Sequence, residues 1–188
     1  AVGFHALYAN TSGDSNVAIG QACLDANTTA ARNTAVGDVA LSANTTGNQN
    51  TAVGANALDA NTDGVNNTAV GYLALTTNTA SNMTAVGYNA LGANTTGPSG
   101  VAVGYNALGS NTTGASPTAV GLHALLSNTT GASNTAVGTS ALGGNTTANN
   151  NSALGLNAFI AVTTGNQNTA VGTYAGSTLT TGAYNVYI

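Results

Sequence analysis

A short run of Thr-Ala-Val, or a close variant, ends on glycine and returns at a fixed interval along this chain. The glycines are Gly3, Gly20, Gly37, Gly54, Gly71, Gly87, Gly104, Gly121, Gly138, Gly155 and Gly172. Each follows the last by 17 residues except Gly87, which follows Gly71 by 16. One residue is therefore missing in the stretch from Thr79 to Met83. Between the glycines come an Ala-Leu pair and a polar Asn-Thr-Thr-Gly. Eleven near-copies of N-T-A-V-G-x-x-A-L-x-x-N-T-T-G-x-x account for the chain, with residues 50–66 (NTAVGANALDANTDGVN) close to the ideal. A fixed period of this length is the signature of a repeat architecture.

Aligning the copies turns residues into columns. One column is β-branched and includes Val36, Val53 and Val70; a second is leucine and includes Leu41, Leu58 and Leu75. A third is alanine, with Cys23 as its one exception. Asn44 and Asn61 belong to an asparagine column, and Thr45 and Thr62 to a threonine column beside it. Two helices and their turns need about 33 residues per repeat, and Asn, Thr and Gly are poor helix formers. The T-A-V and A-L pieces predict strands of three or four residues between turns. The fold class expected is all-β: a parallel β-solenoid, or β-roll, of eleven coils of about 17 residues. Coils at ~4.8 Å spacing would make a rod of roughly 50 Å. Val over Val and Leu over Leu predict a continuous apolar spine, and Asn over Asn a side-chain amide ladder at a turn. The glycine that ends T-A-V-G predicts a bend that a Cβ would obstruct.

About four apolar residues per coil make a thin core, and open coil ends are β-edges. Both favour association with other copies or flanking elements. We expect 1–188 to be a single repeat array cut from a longer fibre protein, with residues 155–188 a degenerate stretch leading to a following domain. There Leu gives way to Phe159 and Gly176, and Asn to Val162 and Leu179.

Charge narrows the partners. The only basic residue is Arg32; the acids are Asp14, Asp25, Asp38, Asp59 and Asp63, for a net charge of −4. A phosphate-binding surface needs clustered Lys and Arg, so neither nucleic acid nor an anionic membrane is an expected partner. No apolar run approaches the ~20 residues of a membrane span, so no membrane insertion is expected of this segment. Any targeting or anchoring segment is expected outside it.

Candidate chemistry is sparse. His5 and His123 share a column seven coils apart, roughly 34 Å along the rod at solenoid spacing, too far to converge. No Ser has a His and a carboxylate in plausible reach, so neither an enzyme nor a cofactor is expected. The aspartates are scattered and lack the several oxygen ligands of a calcium site; no metal residues are assigned. Cys23 is expected to be a buried small residue. Tyr72, Tyr88 and Tyr105 follow the glycine on three successive coils, either as a packed ladder or chain contact or as a glycan-binding strip. The threonine column raises ice binding, although adjacent Thr45 and Thr46 would point to opposite faces of a regular strand. The Asn-Thr-Thr tripeptides match the glycosylation pattern but are expected to recur for structural reasons.

The unit resembles the head repeats of YadA-like trimeric autotransporter adhesins, whose motif is close to S-V-A-I-G, at Asn16-Val17-Ala18-Ile19-Gly20 and Gly100-Val101-Ala102-Val103-Gly104. Their coils are shorter than 17 residues. Residues 84–97 (TAVGYNALGANTTG) are more similar still to the arrays of bacteriophage tail-fibre and fibre-like bacterial surface proteins. The resemblance spans the chain and implies a left-handed homotrimer, extracellular on a cell surface or virion. It implies a structural or adhesive role, as a rigid stalk or head for host or surface attachment through a receptor or cell-surface carbohydrate. The alternatives are a carbohydrate-binding module using the tyrosine strip, an ice-binding solenoid, or the subunit of an end-to-end filament.

Overall fold

A computed structural model describes all 188 residues. It is all-β and contains no helix, hence none long and apolar enough to cross a membrane. Each coil contributes one strand: β1 (Val17–Ile19), β2 (Thr34–Val36), β3 (Thr51–Val53), β4 (Thr68–Val70), β5 (Thr84–Val86), β6 (Val101–Val103), β7 (Thr118–Val120), β8 (Thr135–Val137), β9 (Ser152–Leu154), β10 (Thr169–Val171) and β11 (Val186–Tyr187). They stack in chain order into one parallel sheet, and Val2 forms a further bridge to Ile19. The result is a β-solenoid of about ten turns.

Register follows the repeat. Thr34, Ala35 and Val36 pair with Thr51, Ala52 and Val53. The short coil keeps this register, with Thr68, Ala69 and Val70 facing Thr84, Ala85 and Val86. The Ala80 carbonyl accepts the side-chain amides of Asn78 and Asn67, as the Gly64 carbonyl accepts those of Asn61 and Asn50. The lost residue is thus the one between Thr79 and Ala80, matching the exposed Thr46 and Asp63 of earlier coils. A deletion at an exposed turn tip leaves the sheet untouched.

The expected A-L strands do not form. Leu41, Leu58 and Leu75 have φ of 55°, 53° and 52°, and Val39, Asn56 and Leu73 have φ of 58°, 55° and 59°. Left-handed backbone at alternate residues winds this segment into turns. For a non-glycine residue that conformation costs roughly 1–2 kcal/mol. Two gains offset it: the leucines are fully buried, and coil-to-coil bonding continues through the turn. Leu58 N–H donates to the Ala74 carbonyl and Ala60 N–H to the Thr76 carbonyl, each at 3.0 Å. Of 122 backbone hydrogen bonds, 102 lie outside the regular strands, so the turns contribute most of the pairing.

The valine column is not part of the inner spine. Successive strand residues point to opposite faces, and Ala35, Ala52 and Ala69 point inward at 0% exposure. Val53 is accordingly 36% exposed, and Val36 and Val70 are half-buried. The true interior of a coil is Ala, Ala and Leu (Ala52, Ala57 and Leu58) together with two asparagines (Asn50 and Asn61). The bend after the strand is as expected: Gly54 has φ 132°, and a Cβ there would lie 2.5 Å from the Gly71 carbonyl oxygen.

Two amide ladders carry the polar part of this interior. In the expected one, Asn44 Nδ2 donates to Asn27 Oδ1 at 3.2 Å and Asn61 Nδ2 to Asn44 Oδ1 at 3.0 Å. Each also donates to its own turn, at the Gly47 and Gly64 carbonyls. Beside it, the Thr45 hydroxyl donates to the Thr62 carbonyl at 3.1 Å. The second ladder uses the asparagine before each strand: Asn50 N–H donates to Asn33 Oδ1 and Asn67 N–H to Asn50 Oδ1, both at 2.9 Å. Buried amides, satisfied except at Asn61 Oδ1 and Asn145 Oδ1, hold the stacking in one register. Residues 155–188 continue the same coil through β10 and β11. There Phe159, fully buried, reaches into the space above Gly176, where a Cβ would lie 2.4 Å from its ring.

Candidate functional site

Position, not composition, brings the tyrosines together. They stand one residue beyond the glycine bend, where the chain has left the sheet and the side chain faces solvent. Tyr72, Tyr88 and Tyr105 are 49%, 44% and 48% exposed. Tyr88 and Tyr105 stack with centroids 4.9 Å apart and planes within 10°, the spacing that coil-on-coil stacking imposes. Tyr72 meets Tyr88 at 5.7 Å with a 33° tilt. The strip runs one ring further than the sequence suggested, because His123, one column over, meets Tyr105 edge-on at 5.6 Å. Its shared column with His5 had disguised it as an isolated histidine.

This geometry decides which ring faces are free. Tyr88 lies between two rings, and Tyr105 between Tyr88 and His123. Of the three tyrosines, Tyr72 alone has an aromatic neighbour on one side only, because the same column holds Ala55 in the preceding coil. Behind the strip, Asn89 Nδ2 donates to Asn106 Oδ1 at 3.0 Å. A smaller aromatic group occupies the first coil, where His5 stacks on Phe4 at 4.2 Å and Tyr8 at 4.6 Å. Its Nδ1 lies 4.0 Å from Asp25 Oδ1, which is buried without a hydrogen-bond partner.

A second surface is the outer face of the sheet, formed by alternate residues of every strand. Its valine column includes Ile19 at 45%, Val86 and Val120 at 37% and Leu154 at 51% exposure. Thr34, Thr51 and Thr68 line it on the other side of the inward alanines. No group of three or more His, Cys, Asp or Glu side chains is placed to hold a metal ion.

The threonine column that raised ice binding directs its hydroxyls along the rod to the next coil: Thr95 Oγ1 donates to the Thr112 carbonyl at 3.1 Å and Thr112 Oγ1 to that of Thr129 at 3.0 Å. Asn44 and Asn61, which open Asn-Thr-Thr and Asn-Thr-Asp, are fully buried. Cys23 is buried, its Sγ donating to the Gly20 carbonyl at 3.1 Å, and burial pushes its thiol above the ordinary range. No protein-family model, curated protein or solved structure matches the chain.

Proposed function

We propose that this chain is a rod segment of an extracellular fibre, a phage tail fibre or bacterial surface adhesin, in which three copies associate through their Thr-Ala-Val faces. The role is mechanical: a stiff element that holds an attachment function away from its base. The observation that carries this reading is the apolar outer column, β-branched except at Leu154 and half-buried to exposed, which runs the length of the sheet. Exposed contiguous apolar surface of this kind marks an interaction site. Its partner must present matching features at every coil, roughly every 4.8 Å, and another copy of the same chain does so. A stripe about 50 Å long and about 10 Å wide offers roughly 500 Å² per copy, the order of magnitude of a specific interface. The threefold arrangement and the left hand of the coil rest on the resemblance to trimeric adhesin heads.

Light scattering on the chain tests this. A mass near three times 18.0 kDa is expected. Replacing Val53, Val86 and Val120 together by Lys should return it to a single chain with its β-structure intact. A monomeric wild type, or an unchanged mass after the triple substitution, would overturn the proposal; large particles of dispersed length would replace it with end-to-end filament growth.

A further inference from the structure

We propose that the free face of Tyr72 is a subsite for one pyranose ring of a neutral glycan. In the column just beyond the bend, the stack Tyr105, Tyr88, Tyr72 stops at Ala55, and Asp38 follows one coil further on. The next ring position of the stack is therefore unfilled at Ala55, with Tyr72 one coil away on one side and the exposed Asp38 one coil away on the other. Two coil steps separate the Tyr72 and Asp38 backbones, about 9.6 Å at solenoid spacing. A pyranose is about as thick as an aromatic ring, so its C–H face would rest on Tyr72 as the next member of the stack. Its hydroxyls would meet Asp38, together with Asn56 beside Ala55.

The two requirements of a small-ligand site are thus met, an apolar platform and a few polar groups that fix orientation. The other tyrosines are less suited, because Tyr88 and Tyr105 each have an aromatic neighbour on both sides along the rod. Charge selects the ligand class. Residues 64–188 contain no Asp, Glu, Lys or Arg, and the charged groups nearest the unfilled position in the repeat are Asp38 and Asp59. Carboxylates accept hydrogen bonds from sugar hydroxyls and repel sialic or uronic acids.

The experiment is saturation-transfer NMR on the full chain with methyl β-glucoside, methyl β-galactoside and methyl α-mannoside, and with sialyllactose as an anionic comparison. Transfer to the C–H protons of at least one neutral pyranoside is expected, at least tenfold stronger than to the sialic acid. Tyr72→Ala should abolish it and Tyr105→Ala should retain it. Ala55→Tyr, which completes the stack, should block the unfilled position while preserving the fold by circular dichroism. Transfer to none of the neutral sugars at millimolar concentration would overturn the proposal. So would equal transfer in Tyr72→Ala or Ala55→Tyr, or loss in Tyr105→Ala alone. A change in assembly mass on Tyr72→Ala would instead make the ring a chain contact and equally overturn it.

Discussion

Gly100 and Pro117 stand one coil apart in the column of the second amide ladder, and the hydrogen bond that Gly100 cannot accept is one that Pro117 cannot donate. In neighbouring coils the ladder asparagine accepts the N–H of the next, as Asn151 does from Asn168 at 2.9 Å. Met83 breaks the series, and its sulfur accepts the Gly100 N–H at 3.1 Å. Its methyl also fills the space beside Gly100, where a Cβ would lie 2.9 Å from Met83 Cε. The three substitutions in successive coils therefore match one another pairwise, and the mismatch is passed to the Asn134 N–H, which faces Pro117 and has no side-chain acceptor.

Replacing Pro117 by Ala restores a buried N–H with no side-chain acceptor opposite it. An unsatisfied buried donor costs about 1–3 kcal/mol. Pro117→Ala should lower the melting temperature, and changing Met83, Gly100 and Pro117 together to Asn should recover it. An unchanged melting temperature in Pro117→Ala would mean that this N–H finds water or a relaxed backbone.

The glycines are held for different reasons that composition does not separate. Gly54→Ala meets the Gly71 carbonyl oxygen at 2.5 Å and must hold φ near 132°, a strain of order 1–3 kcal/mol before any clash. Gly109 has no such φ, and its column holds Leu126 one coil on. Gly109→Ala should leave the melting temperature within a degree or two, while Gly54→Ala should lower it well beyond that. Equal effects would remove the bend as the reason for the Gly54 column.

Coil length, stacking order and register were legible from Gly3 to Gly172, because stacking forces chemically equivalent residues over one another. Leu58 was read as part of an apolar spine and Asn61 as part of an amide ladder at a turn for that reason. Val53 was misplaced: the sequence shows that a column is apolar, whereas the facing direction is set by strand alternation around Ala52. The second ladder at Asn50 was visible as a column but offered no sign that it was buried. Of the two ladder hydrogen-bond failures, only the one at Asn145 had a sign in the sequence, the Val162 that replaces asparagine. Asn61 Oδ1 is buried without a partner, because the shortened coil turns Asn78 toward Ala80 instead. Asn145 Oδ1 is likewise unpaired, since Val162 above it has no side-chain N–H to donate. The tyrosine column was legible, while its continuation into His123 required the geometry.

Cys23 offers a reporter of coil integrity. Desolvation raises its thiol pKa, so the folded chain holds the proton more tightly than the unfolded chain, whose thiol titrates near pH 8.5. Below about pH 8.5 both states are protonated and Cys23 adds no slope to stability. Above it the unfolded state loses its proton first, and the melting temperature should fall with rising pH. Cys23→Ala, which restores the residue of its column, should remove that part of the fall above about pH 8.5. A thiol reagent at pH 8 should label the folded chain far more slowly than the urea-unfolded chain, because the buried thiol is both protonated and covered. Parallel melting curves for the two proteins, or equal labelling rates, would show that this coil opens readily.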